Sequence, residues 1–361
     1  MKTARTVRTT LAVLAASGLV VALAACSRAE SSSPAAAATD KGPAAELRLG
    51  YFPNITHAAA LIGVELDYFT KELGSTKLTT QTFNAGPEAV GALLGDSLDI
   101  SFIGSGPAIN AFAKSDGAAV RLISGATSGG AQLVARPGID SADALKGKKV
   151  ATPQLGNTQD IALKKWLSDK GIGAGSGADQ VTVINSDNPQ TLEAFRAGQI
   201  DAAWLPEPWA SRLVLDAGAT VLLDEKELWP DGRFPTTVII VRTQFLAEHP
   251  QTVQAFLRGQ LAAVDWATAN PAEARTTANG VLEELTGKAL ADPVIERAFA
   301  NITLTADPLA STFPQLAKDA VTAGTSQEAP DLAGFVDLDA LNAVLTAAGR
   351  PTVDAAGLDT K

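Results

Sequence analysis

Two apolar rhythms alternate along most of this chain. Short apolar runs bounded by Gly, Pro, Asn and Asp read as strands, and stretches with apolar positions three and four apart read as helices. A first series predicts strands over residues 47–51, 79–83, 98–103, 120–125 and 132–135, with helices over 57–73, 87–94 and 107–114. A second series predicts strands over 148–151, 181–184, 200–205 and 221–223, with helices over 158–169, 189–197 and 207–216. Residues 237–241 form a last β-rich run, and the sequence from Thr243 onward is mostly helical. This alternation predicts an α/β fold with parallel-type sheets.

The two series contain a weak internal repeat. Residues 87–99 (PEAVGALLGDSLD) and 189–201 (PQTLEAFRAGQID) align without a gap at an offset of 102 residues. Pro87 falls on Pro189, Ala92 on Ala194 and Asp99 on Asp201. Each copy reads as a helix opened by Pro, whose missing N–H is unpaired in a first turn anyway, then a turn and a strand. Two lobes of similar build follow. Residues 46–132 with 237–361 are expected to form lobe 1 and residues 133–236 lobe 2. Two chain crossings between lobes make a hinge, and a hinge makes a central cleft that can close.

The first residues read as an address. Lys2, Arg5 and Arg8 precede an apolar stretch, residues 11–25, that is too short to span a bilayer comfortably as a helix. Leu23-Ala24-Ala25-Cys26 then resembles a lipobox, so residues 1–25 are expected to be a lipoprotein signal peptide and Cys26 the site of lipid attachment. Residues 26–45, rich in Ser, Ala and Pro, read as a flexible tether. The expected location is extracytoplasmic, lipid-anchored to the outer face of a membrane.

Composition narrows the function. Of the 361 residues, 46% are hydrophobic and 19% charged, so most of the chain is globular; the net charge is −10, against a nucleic-acid partner. One Cys and two His rule out an intramolecular disulfide and a thiolate- or imidazole-rich metal site. No metal and no cofactor is implied. There is no G-x-S-x-G elbow and no Walker loop, and the G-x-G-x-x-A match at residues 173–178 follows a helix instead of a strand, so it reads as a loose turn.

In open α/β sheets, ligands sit beyond the carboxyl ends of strands, where helix N-termini point. Five strand-to-helix loops are expected there: residues 51–57, 104–107, 125–130, 154–159 and 206–209. They are rich in Gly, Ser, Thr and Asn, and His57 is their only basic side chain. Bared backbone N–H groups and helix dipoles favour a small anion without Lys or Arg. Ser105, Asn157 and Thr158 also fit ordinary helix caps, and Glu207 at a helix start also fits the dipole. Flanked by Trp204 and Trp209, Glu207 reads equally as part of a pocket wall, able to pair with an ammonium. Trp204, Trp209 and Phe102 are expected to cover an alkyl chain or exclude water, and His249 reads as structural.

These loops resemble a known family. Leu47-Arg-Leu-Gly-Tyr-Phe-Pro-Asn54 with His57, Leu98-Asp-Ile-Ser-Phe-Ile-Gly-Ser105-Gly-Pro, Gly156-Asn-Thr158 and Asp201-Ala-Ala-Trp204-Leu-Pro-Glu207-Pro-Trp209 are similar to substrate-binding proteins of ABC importers, in the aliphatic sulfonate, taurine and nitrate branch (NMT1-like). The resemblance covers about residues 46–350. It implies a type II periplasmic binding protein fold, no enzyme activity, and a receptor that closes on a small anionic or zwitterionic solute. It also implies delivery to a permease with its ATPase subunits, probing the membrane through the lipid anchor and acting as a monomer. Carried over by position, Asn54, His57, Ser105, Ser128, Asn157, Thr158 and Glu207 would line the cleft, with Trp204 beside them. The alternative is a receptor for a heterocyclic thiamine-pyrimidine-type precursor, recognised by Glu207 and the Trp pair.

Overall fold

The computed structural model describes residues 39–359. The signal peptide, Cys26 and most of the tether lie outside the described residues. The end of the expected tether, residues 41–44, is bound to the fold. The Lys41 N–H donates to Glu248 O at 2.7 Å, the Gly42 carbonyl meets His249 Nδ1 at 2.7 Å, and the Ala44 N–H donates to Thr252 Oγ1 at 2.8 Å.

Two six-stranded sheets organise the rest. In spatial order the first holds Ile302–Leu304, Val120–Gly129, Pro235–Arg242, Ile100–Gly104, Glu46–Tyr51 and Lys77–Thr82. The second holds Thr220–Asp224, Ala131–Ala135, Ala202–Pro206, Lys149–Thr152, Gln180–Asn185 and Gly173–Ala174. The short strand Gly173–Ala174 lies in what reads from sequence as a loose turn. Both sheets are mixed, not simply parallel. The βαβ strands pair in parallel, whereas Pro235–Arg242 and Ala131–Ala135 pair antiparallel with their neighbours. These two strands occupy equivalent places, and each is the first strand laid down after the chain crosses from one sheet to the other.

The internal repeat is visible as a shared bonding pattern. In the first sheet the Arg48 N–H donates to Asp99 Oδ2 at 2.9 Å, and the Asp99 N–H donates to Arg48 O at 2.9 Å. In the second, the Lys149 N–H donates to Asp201 Oδ2 and the Asp201 N–H to Lys149 O, both at 2.8 Å. An arginine at the end of one antiparallel strand and just past the end of the other completes the unit: the Arg242 N–H donates to Asp99 O and the Arg136 N–H to Asp201 O, both at 2.9 Å. The two carboxylates differ in charge environment. Burial pushes the Asp99 carboxyl up, but hydrogen bonds from Arg48 and Arg242 outweigh it and hold the group below the usual range. Arg136 instead lays its guanidinium over Phe195, 4.3 Å from the ring centre.

One large apolar core covers both faces of the first sheet and takes in the C-terminal helices, including Phe256, Phe313 and Phe335. The second sheet has a smaller core on each face, one built around Trp166, Trp204 and Phe234, the other around Phe195, Leu205 and Leu213. The predicted helix over 57–73 is divided into a 3-10 turn and the helices Ala58–Glu65 and Tyr68–Leu73, because Asp67 adopts a left-handed conformation (φ 58°).

Trp204 belongs to this interior. It is fully buried, its ring meets Trp166 edge-on at 6.2 Å, and its Nε1–H donates to Glu225 Oε2 at 2.9 Å. Burial pushes the Glu225 carboxyl up to about 8. Phe102 is likewise a core residue, packed among Phe69 and Phe256.

Asp99→Ala leaves two guanidinium groups and a backbone N–H without their acceptor and is expected to cost about 3 kcal/mol. Asp201→Ala, which loses chiefly a neutral N–H bond, is expected to cost about 1 kcal/mol; urea unfolding midpoints of the two variants check the difference. A carboxyl raised on folding contributes stability that is full below its unfolded value of 4.5 and is lost as pH rises through about 8. The thermal midpoint is therefore expected to fall between pH 4.5 and about 8 and to level off above it, and Glu225→Gln, which keeps an acceptor for Trp204, to flatten that fall.

Candidate functional site

The lobes meet where several helices begin. Helix Ser105–Lys114 starts straight after strand Ile100–Gly104, and helix Thr158–Asp169 starts after strand Lys149–Thr152 and a short loop. Asn157 caps the second helix, its Oδ1 accepting the Thr158 N–H at 2.9 Å. The two N-termini come together across the cleft, where the Gly106 N–H donates to Thr158 Oγ1 at 3.3 Å. A Cβ at position 104 would collide with that same Thr158 oxygen, and one at position 106 would lie 3.3 Å from Thr158 Cα. Glycine at both positions is what lets the helix ends approach.

Between them lies a cavity of about 20 Å³. From the first lobe it is lined by Phe52, Asn54, Thr56, His57, Asn84 and Gly104, and from the second by Asn157, Thr158, Gln159, Asn188 and Pro206. Thr236 and Thr237, on the strand that returns to the first sheet, complete it. Lys, Arg, Asp and Glu are all missing from the lining. His57 is buried, stacks on Phe52 with ring centres 4.4 Å apart, and accepts the Phe52 N–H at Nδ1 at 3.3 Å. Its remaining proton therefore sits on Nε2 as a donor. Burial pushes its pKa down to about 3, so the imidazole is neutral at physiological pH. Ser105 Oγ and Asn188 Oδ1 are buried without hydrogen-bond partners among the described residues, which leaves bonding capacity at the starts of two helices.

Of the positions named from sequence, Asn54, His57, Asn157 and Thr158 line this cavity, and Ser105 follows Gly104, which lines it. Three expected positions lie elsewhere. Ser128 is in the strand Val120–Gly129, because what reads as a Gly-rich loop over 125–130 continues the sheet and pairs Ser128 with Pro235 and Thr303. Trp204 faces the interior of lobe 2, as described above. Glu207 is fully buried and already bonded: Oε1 accepts from Asn301 Nδ2 at 2.6 Å and Arg297 Nη1 at 3.2 Å, and Oε2 accepts from the Ser211 N–H at 3.0 Å. Burial pushes its carboxyl up, and these donors work against that. Arg297 also donates to Gln132 Oε1 at 2.7 Å and Ser211 Oγ at 2.8 Å.

This cluster sits at the crossing between the sheets. Gly129 and Gly130 are both left-handed (φ 78° and 79°), and a Cβ on Gly130 would strike Ile302. The Glu207 N–H donates to Gly130 O at 2.8 Å. Nearby, Trp209 Nε1–H crosses between lobes to Asn54 Oδ1 at 2.8 Å, and Gln154 Nε2 crosses to Glu88 Oε1 at 2.7 Å. Asn84, Asn188, Thr236 and Thr237 lie outside the five loops expected at the cleft, while Gln159 ends the loop 154–159; Asn188, just before the helix-opening Pro189, is the one with a local signal. Arg297 and Asn301 carried no motif.

Among the described residues no cluster of His, Cys, Asp and Glu could hold a metal ion, and no helix is long and apolar enough to cross a membrane.

Comparison with known proteins gives a consistent result. The chain is 30% identical over 206 residues to the taurine-binding periplasmic protein of Escherichia coli, a stretch covering 56% of this chain and 61% of that one. It thus spans about three fifths of the length of the curated relatives it matches. Its fold is similar to the alkanesulfonate-binding protein SsuA of Xanthomonas axonopodis pv. citri bound to MOPS (TM-score 0.65, 22% identity, covering 80% of this chain and 95% of that one). It is also similar to the periplasmic nitrate-binding protein NrtA of Synechocystis PCC 6803 (TM-score 0.69, 15% identity, covering 84% and 89%). These neighbours share the two-lobed type II periplasmic binding protein fold. The model of the NMT1-like family matches residues 40–282, most of the chain, and the protein belongs to that family.

Proposed function

We propose that this protein is the extracytoplasmic solute-binding receptor of an ABC importer, capturing a small anionic or zwitterionic solute of the aliphatic sulfonate, taurine or nitrate type and delivering it to a membrane permease and its ATPase. One observation carries the reading: two helix N-termini converge on a cavity that contains neutral donors and no ionised side chain. Such a site favours an oxyanion through backbone dipoles and hydrogen bonds. Hydrogen bonds to a charged acceptor contribute about 1.5–3 kcal/mol each. Donors come from both lobes, so the closed form binds better than an open one, and that difference drives closure.

The cavity is close to the size of a single water, so an oxyanion head fits it only with the helix ends farther apart. A groove of about 780 Å³ shares Asn54, Asn84 and Asn188 with it and offers Phe83 and Trp209 to an organic body. The named relatives are binding proteins, and a neutral, buried His57 suits hydrogen bonding better than proton transfer. The heterocycle alternative rested on Glu207 and the Trp pair. It loses that basis, because Glu207 is engaged by Arg297 and Asn301, Trp204 by Glu225, and Trp209 by Asn54. The same reading has residues 46–132 with 237–361 as lobe 1, residues 133–236 as lobe 2, a lipid on Cys26, and a monomer at the membrane face.

A thermal-shift screen of residues 39–361 with taurine, alkanesulfonates, nitrate, bicarbonate and sulfate is expected to raise the midpoint with one of these anions. Shifts with none of them, or with pyrimidines alone, reject the anion class. His57→Ala is expected to weaken the responding anion by about tenfold. Trp209→Phe, which removes the bond across the cleft together with part of the ring under Arg212, is expected to weaken it by roughly fivefold; calorimetric titration measures both.

A further inference from the structure

A second cavity, of about 630 Å³, lies between the lobes, and among the described residues Thr158 alone lines both it and the central one. Its volume is in the range of small-molecule sites. Trp166, Trp229 and Ile161 supply apolar wall from the second lobe's side. Leu309 and Leu316 supply it from the opposite side, the latter on the helix Phe313–Thr322, which packs into the first lobe's core.

The charges in this cavity are unbalanced. Its two basic residues are already paired, Lys165 with Asp169 at 2.5 Å and Arg233 with Asp307 at 3.0 Å. Two buried carboxylates, Glu225 (2% exposed) and Asp319 (8% exposed), line it from opposite lobes, and neither has a cationic partner within salt-bridge distance among the described residues. Glu225 uses Oε2 for Trp204, and Asp319 uses Oδ1 for Gln315. Their other oxygens, Oε1 and Oδ2, have no hydrogen-bond partner among the described residues. Burying carboxylates in this way is unfavourable unless something pairs with them. A bare metal ion is a poor match for so large a space with apolar walls. An ammonium head on an apolar body matches both the carboxylates and the tryptophan rings.

We propose that this cavity is a binding site for a small organic ammonium, its charged head between Glu225 and Asp319 and its apolar body against Trp166 and Trp229. The site is separate from the anion cleft and stands independently of the transport reading. Burial raises both carboxyls, Glu225 to about 8, and Asp224 and Asp319 add to the rise at Glu225. The other charged groups facing it are the paired Lys165 and Asp169 on the helix Thr158–Asp169, and Asp231 and Arg233 on the segment that follows Glu225. An arriving ammonium favours the ionised carboxyls, so binding releases protons and tightens as pH rises through about 8.

The test is calorimetric titration of the whole chain with phenethylammonium, with phenethyl alcohol as the uncharged control, on both sides of the Glu225 pKa. The expected result is saturable binding in the millimolar range or tighter, stronger at the higher pH. The alcohol, Glu225→Gln and Asp319→Asn are each expected to be weaker by about tenfold, the worth of one charge-assisted bond. Asp319→Asn tests the charge even if Glu225→Gln fails to fold. Absence of saturable binding, equal affinity for the alcohol, or unchanged affinity in Asp319→Asn overturns the proposal. Loss of binding in His57→Ala would place the probe in the central cavity and overturn it as well.

Discussion

The ends of helices Ser105–Lys114 and Thr158–Asp169 meet head to head, each carrying roughly half a positive charge. Like charges in contact oppose the closed arrangement; the buried Asp160 in the first turn of the second helix offsets part of this from behind, and among the described residues no carboxylate lines the cavity itself. Much else in the structure serves this approach. Gly104 and Gly106 remove the Cβ atoms that would hold the helices apart. The cavity lining supplies neutral amides and hydroxyls, which can turn toward an anion without adding charge of their own. His57 fits the same logic, since its burial favours the neutral donor and avoids a third positive centre. An anion between the helix ends turns mutual repulsion into shared attraction.

The hinge cluster is the mechanical counterpart of that site. Arg297 and Asn301 reach from the end of the helix Asp292–Ala300 to Glu207, Ser211 and Gln132 in the second lobe. Beside them the left-handed pair Gly129–Gly130 carries the chain from one sheet to the other. Glu207 therefore acts through Arg297 and Asn301 at the crossing between the sheets, and its place between two prolines and two tryptophans does not make it part of the cavity wall. A buried, fully bonded carboxylate thus ties the two sheets together beside their crossing while leaving the cavity itself uncharged.

The fold was legible because its signals are local and repeated. Alternating strand and helix patterns located most elements before residue 243, and Asp99 and Asp201 marked equivalent positions that turn out to make equivalent bonds. What was not legible depends on direction or distance. Alternation along residues 202–206 does not say which face of the sheet meets the cleft, so Trp204 could be read as lining it. A Gly- and Ser-rich stretch at 125–130 has loop composition but remains a strand, because its neighbours Pro235–Arg242 and Ile302–Leu304 arrive from far along the chain. Asn84 and Thr236 reach the cavity from segments with no motif of their own. The loop residues Asn54, His57, Asn157 and Thr158 were found because helix-start chemistry and binding chemistry use the same residue types.

The strand Pro235–Arg242 has a consequence for how the molecule is made. It lies in the interior of the first sheet, between Val120–Gly129 and Ile100–Gly104. During synthesis both of those strands emerge long before it does, and each exposes an unpaired edge until it arrives. The strands of the second sheet, by contrast, come from one continuous stretch, residues 131–224, and need nothing from later sequence. The lobe that begins first in the chain is therefore the one that must be completed last. For about the length of the other lobe, the growing polypeptide carries a half-built sheet whose missing strand has yet to be translated.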